Sequence, residues 1–331
     1  MSGTRHQSEG GNRPLNSASP WLIANSALPT TADVMAERRT SARRGWPARP
    51  HWGQGALICS QSPGLRSRYS VTKRLLRGLW GMSFRLVPAL VGLLGAFSAS
   101  AACPDFDQTH SRFDAVLRAH VKNGVVDYAG LQASPGELDA YLSELRAVCR
   151  TSFEGWSREQ RVALWVNAYN AFTLKTILDH LPLKSIKEIG LLPGAAWRDR
   201  FIPLGGLVGK GDLSLNDVEH EILRKNYPDA RLHFVLVCAS KSCPELRSEA
   251  YRADRLSAQF DDAGRRFLAD PSQNSVAGKA WKISSIFKWY REDFERDGPG
   301  LAAFVKRFAP AAEAPSSEPE FLPYDWSLNG K

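Results

Sequence analysis

The chain has 331 residues, with 43 Lys and Arg against 34 Asp and Glu, a formal charge of +9 that would ordinarily point to an anionic partner. The excess is local: residues 1–81 hold 12 of the basic and 3 of the acidic side chains, which leaves 31 of each from Met82 onward. A neutral remainder of this kind carries no basic nucleic-acid surface, so nucleic acid is not an expected partner.

Residues 1–81 are rich in Arg, Ser, Pro and Gly and keep neither a helical nor a strand period. That composition predicts an extension with no core of its own, non-native or disordered. At Met82 the sequence changes to MSFRLVPALVGLLGAFSASAAC. Arg85 supplies a basic start, Leu86 to Phe97 an apolar stretch, and Ala99-Ser100-Ala101 a small-residue cleavage site, so 82–102 reads as a signal peptide. Translation is then expected to start at Met82. The apolar stretch is shorter than the roughly 20 residues of a membrane helix. Ser100 stands where a lipid-attachment signal before Cys103 would need Leu. The expected product is an exported, periplasmic protein without a stable membrane span after cleavage.

From residue 103 to 331 the chain is long enough for one core, with no internal repeat and no long linker. Phe106 to Val121 has helical spacing, with Phe113, Val116 and Leu117 on one side, and Gly124 ends it. Pro135 to Val148 is a second helix. Ser157 to His180 is the longest, opened by SREQ, in which Ser157 and Gln160 form a capping box, and closed before Pro182. FIPLGGLVGKGDLSL alternates around two glycines and predicts a hairpin. Ser214 caps the next helix. Arg231 to Cys238 is almost wholly apolar and predicts a central strand buried on both faces. A helix over about 253–269, a short strand around Trp281-Lys282-Ile283 and helices near 284–295 and 298–308 follow. The tail FLPYDWSL adds an edge strand. Helices dominate and strands are few, so the fold class is α+β: one mainly helical domain with a small, mostly antiparallel sheet.

Three stretches could carry chemistry. In WVNAYNAFTLK, Asn167 and Asn170 share a helical face. Two asparagines inside a helix cost propensity, so their amides serve either a site or neighbouring loops. In SLNDVEHEIL, at about 100° per residue, Glu219 falls within the arc of Leu215, Val218, Ile222 and Leu223, while His220 lies on its border. A buried carboxyl must be hydrogen-bonded or shifted in pKa, and an imidazole beside it suits acid–base work. In LHFVLVCASKSCPEL, Cys238 ends the expected strand and Cys243 follows five residues later. Export permits disulfides, and four cysteines remain after cleavage: Cys103, Cys149, Cys238 and Cys243. Cys103–Cys149 would tie the N-terminus to the end of a helix, and Cys238–Cys243 would staple a loop. Alternatively, Cys238 is a nucleophile with His220 as its base and Glu219 as the orienting group. His233, on the expected strand, reads as a supporting or core residue. CxxxxC is not a zinc spacing, and no phosphate loop or HExxH pattern is present, so neither metal nor cofactor is expected.

The blocks FDAVLRAHVKNGVVDYAGL, LWVNAYNAFTLKTIL, PLKSIKEIG, LSLNDVEHEILR, LHFVLVCASKSCPELRSEAY and FLPYDWSLNG, in order across 106–330, resemble the domain-of-unknown-function 547 family. The resemblance implies a fold similar to papain-like or transglutaminase-like cysteine hydrolases. It places the family's motif cysteines at Cys238 and Cys243 and its Glu-His pair at Glu219 and His220. Papain-like nucleophiles sit at a helix N-terminus, whereas Cys238 is expected after a strand. Two functional readings follow. One is a thiol-dependent hydrolase or acyl-transferase acting from Cys238, with Asn167, Asn170, His233 and Cys243 in supporting or substrate-binding places. The other is a non-catalytic periplasmic binding module with structural disulfides. The substrate or ligand is not legible.

Overall fold

The computed structural model describes residues 103–296 and 298–331. The expected extension (1–81) and signal peptide (82–102) lie outside the described residues. In chain order the elements are α1 (Ser111–His120), β1 (Val121–Lys122), β2 (Val125–Val126), α2 (Tyr128–Ala133), α3 (Gly136–Ala147), α4 (Arg150–Glu154), α5 (Arg158–His180) and α6 (Ala195–Arg198). A π-helix (Asp217–Arg224) and a 3-10 helix (Ala230–Phe234) precede α7 (Leu256–Ala269), β3 (Lys282–Ser284), α8 (Ser285–Trp289), α9 (Arg291–Arg296), α10 (Leu301–Phe308) and β4 (Glu320–Leu322). The class is α+β.

The fold is organised around α5. Its capping box forms as the sequence requires: the Gln160 N–H donates to Ser157 Oγ and the Ser157 N–H to Gln160 Oε1. Beyond the first turn the helix is buried almost all round, from Val162 to Leu178, the signature of a helix that runs through a core rather than over it. It packs against α3 on one side and the π-helix on another.

The first helix stops at His120, and the residues after it make a hairpin. Asn123 (φ 50°) and Gly124 (φ 74°) are both left-handed, the backbone that a two-residue turn between right-twisted strands demands. Val121 pairs with Val126 and Lys122 with Val125. β4 lies beside β3 in parallel, with Ile283 opposite Phe321. Among the described residues the small sheet content is thus one antiparallel and one parallel two-stranded ribbon, with antiparallel bridges at Ile202–Leu213, Ser240–Leu328 and Ser275–Lys282. The FIPLGGLVGKGDLSL hairpin reduces to a single bridge, Ile202 to Leu213, closed over a 3-10 turn at Gly205–Val208.

The expected strand at Arg231–Cys238 does not form. Asp229 accepts the Arg231 N–H and starts the 3-10 turn, Val235 closes it on the Leu232 carbonyl, and Leu236 to Cys238 follow as irregular chain outside any strand. The segment is apolar because it is buried on every side, which periodicity alone does not distinguish from a central strand.

His110, at the start of α1, is buried at φ 51°, and its Nδ1 lies 2.8 Å from the Tyr141 hydroxyl. Burial lowers its imidazole from 6.5 to about 4, against a smaller upward pull from Asp107. The unfolded chain therefore takes up this proton first. Its stabilising contribution is whole above pH 6.5 and is lost as pH falls from 6.5 to about 4, roughly 3 kcal/mol across the interval. Urea midpoints are expected to fall over that window, and His110→Asn, which tolerates the left-handed backbone, to flatten the slope.

Candidate functional site

The two asparagines of α5 are spent on the backbone. Asn170 gives its Nδ2–H to the Val235 carbonyl at 2.9 Å and accepts the Val237 N–H at Oδ1, also at 2.9 Å. Asn167 does the same for a single residue, donating to the Tyr251 carbonyl and accepting the Tyr251 N–H. Each side chain thus stands in for a missing strand edge. The one from Asn170 fixes the residues immediately before Cys238.

Beyond Val237 the chain turns at Ala239, whose φ of 59° is unusual for a residue with a Cβ. Cys238 and Cys243 are joined as a disulfide with their α-carbons 6.3 Å apart, and Cys103 is joined to Cys149. Cys243 Sγ faces several donors. The Cys238 N–H donates to it at 3.0 Å, and the hydroxyls of Ser240 and Tyr324 lie 3.3 and 3.2 Å away. Ser240 also lies 3.0 Å from the Tyr324 oxygen, so the two hydroxyls form a short relay over the bridge.

Glu219 is buried, as the helical wheel requires, while Asn216, His220 and Glu221 around it are only half-buried. The segment is π-helical, a rare winding that is frequent at functional sites. Tyr290 donates to Glu219 Oε1 at 2.7 Å, and the Tyr169 hydroxyl is 3.4 Å from Oε2. Burial, reinforced by the Glu219 charge, pushes both phenols well above their ordinary range, so they stay protonated donors.

His220 lies against Arg224 and Glu219. Arg224 Nη1 donates to its Nδ1 at 2.8 Å, and its Nε2 faces Glu219 at 3.9 Å. Arg224 also donates to Asp293 Oδ2 at 2.6 Å, and His233 Nε2 meets the same oxygen at 2.7 Å. Arg296 holds Asp293 Oδ1. Burial pushes the Asp293 carboxyl up, but the hydrogen bonds from His233 and Arg224 outweigh it and hold it below the usual carboxylate range. His233, stacked on Tyr290 at 3.8 Å between ring centres, is kept neutral because burial outweighs the pull of Asp293. Donation from Nε2 to Asp293 leaves its Nδ1 as an acceptor.

A cavity of about 10 Å³ lies between these groups, lined by Glu219, His233, Cys243, Tyr290 and Tyr324 among others, room for about one water. On its other side Cys243 also lines an open groove of about 440 Å³, with Ser240, Val125, Arg266 and Asn329. Cys243 is thus the wall between a buried acid–base network and the surface. Of the expected residues, the structure brings Glu219, His233 and Cys243 onto one cavity. Cys238 has its sulfur in the bridge, and His220 turns toward Arg224. Sequence reasoning missed Tyr290, Tyr324, Arg224, Ser240 and Asp293. Only the His220–Arg224 pair, four apart on one helix, left a local signal.

Among the described residues no group of three or more His, Cys, Asp or Glu side chains is placed to hold a metal ion, and no helix is long and apolar enough to cross a membrane. The family model described as "Protein of unknown function, DUF547" matches residues 153–268, a narrower span than the ordered sequence blocks. No curated protein and no solved structure matches the chain. The matched segment holds both asparagines of α5, the π-helix and the cysteine loop, while Tyr290, Asp293 and Tyr324 lie beyond it. Over that segment the chain is similar to the DUF547 family.

Proposed function

We propose that the protein is an exported thiol-dependent enzyme of the hydrolase or acyl-transferase type, active with the Cys238–Cys243 bridge reduced. The reacting sulfur is that of Cys243, His233 is the base, Asp293 orients that base, and Cys238 re-forms the bridge on oxidation. One observation carries the reading: the sulfur that meets an N–H and two hydroxyls also shares a cavity with a neutral His233 held by Asp293. Donors of this kind favour a thiolate over a disulfide sulfur, since hydrogen bonds to an ionised acceptor are roughly twice as strong. His233 with a free acceptor nitrogen can take the thiol proton. Opening the bridge requires two electrons and two protons from an external dithiol, by thiol–disulfide exchange.

A second reading, a non-catalytic binding module with structural disulfides, draws on the burial of both sulfurs, Cys238 at 1% and Cys243 at 8% exposure. The two separate on the reduced, folded chain. The enzyme reading expects Cys243 to alkylate with iodoacetamide at a pH well below the ordinary thiol value of about 8.5. It also expects an acyl adduct on Cys243 from an activated ester, absent in Cys243→Ser. Reaction no faster than in the unfolded chain, with no adduct, leaves the binding module.

A further inference from the structure

We propose that the loop from Gly190 to Gly194 is a membrane-surface contact that inserts Leu191 and Leu192 into an anionic bilayer. Leu191 is 102% and Leu192 66% exposed; Val125 is the third large hydrophobic side chain in water among the described residues. The leucines do not dangle. Gly190 (φ 82°) and Gly194 (φ 75°) both take left-handed backbone, which only glycine adopts at little cost, on either side of the tip. A Cβ on Gly190 would come within 2.3 Å of the Ala195 Cβ, so the neck of the loop is closed. The Ala195 N–H donates to the Leu192 carbonyl, and Arg198 Nη2 donates to the Pro193 carbonyl. Buried Ile189 and Ala195 anchor the two ends. A turn this constrained, holding two leucines away from the core, has a use outside the chain's own core.

Charge and size select the occupant. Between residues 184 and 200 stand Lys184, Lys187, Arg198 and Arg200 against Glu188 and Asp199, and with Arg200 paired to Asp217 the segment that carries the tip keeps a surplus of one positive charge. A protein partner of ordinary affinity needs about 800 Å² on each side, far more than two leucines and a proline present. Insertion of a small apolar tip to headgroup depth, with cations at the rim attracted to acidic lipid, needs no more than this.

The test compares the full chain with its Leu191→Ser/Leu192→Ser variant on vesicles of phosphatidylglycerol with phosphatidylcholine, and on phosphatidylcholine alone. Loss of two leucine side chains from the apolar layer is expected to lower partitioning onto the acidic vesicles about ten-fold or more. Added salt should weaken the binding of the parent chain. Both proteins carry the apolar stretch Leu86–Phe97, so the comparison isolates the tip. Should that stretch dominate total binding, Leu192→Trp reports on the tip by difference: against the ten native tryptophans of the parent chain, the variant is expected to show additional quenching by brominated lipid. Equal partitioning of parent and variant without additional quenching in Leu192→Trp overturns the proposal. So does loss, in the variant, of a cross-linked protein partner while vesicle binding is unchanged.

Discussion

Asn170→Ala is expected to lower the stability of the folded chain by about 2–6 kcal/mol, because it orphans two buried backbone groups at about 1–3 kcal/mol each. The groups are the Val235 carbonyl and the Val237 N–H, and in the native structure the Asn170 amide is the partner of both. Water does not replace it, since Val235 and Val237 are buried. Asn170→Asp should be little better, because a carboxylate can accept from Val237 but has no hydrogen for Val235. Chemical denaturation of the three proteins checks this. Asn170→Asp matching the parent within experimental error would show that the amide's donor half is dispensable. The same substitutions should also change the reactivity of the reduced Cys238–Cys243 pair, because Val237 is the residue before Cys238.

Asp293→Ala is expected to cost about 3–5 kcal/mol, the ordinary penalty for removing one partner from a buried ionic cluster. It leaves Arg224 and His233 facing a void and releases Arg296. Asp293→Asn keeps the shape and separates structure from chemistry. Its stability loss should be the smaller of the two. If His233 is the base, however, an amide in place of the carboxylate favours the wrong tautomer, with turnover lost on the order of 10⁴-fold. Thermal melts together with the rate of Cys243 acylation distinguish the roles: loss of stability without loss of rate assigns Asp293 to structure alone. Acid adds an internal check. The folded Asp293 carboxyl sits below its ordinary 3.8, so the stability it contributes is present above that pH and disappears only as pH falls through the lower folded value.

How much of this was legible in the sequence follows from how local each cause is. The capping box of α5, the burial of Glu219 and the shared face of Asn167 and Asn170 depend on residues three or four apart, and they read correctly. The strand expected at Arg231–Cys238 failed for the opposite reason. Its backbone groups are satisfied by a side chain 65 and 67 positions earlier, and nothing in LHFVLVC announces a partner that distant. The surroundings of His233 fall in the same class: His220 adjoins Glu219 in sequence, whereas the carboxylate partner of His233 is Asp293, 60 residues on. The Asn123-Gly124 pair is the one local turn signal that the expected elements leave out, since Gly124 reads there as the end of the Phe106–Val121 helix.

The segment from Ser327 to Lys331 runs between two strangers. Val126 donates to the Asn329 carbonyl and accepts from the Lys331 N–H, while the Asn329 N–H donates to the Ala239 carbonyl and the Lys241 N–H to the Ser327 carbonyl. A hairpin near residue 126 and the cysteine loop near 240 are therefore laced together by a stretch that leaves the ribosome some 200 residues after the first of them. Contacts of such long sequence separation are slow to close and cannot form on a partial nascent chain. The groove beside Cys243 thus takes its final shape after synthesis of this region is complete. A chain stalled or cut before Ser327 is expected to present those loops unlaced, even where the α5 core has already folded.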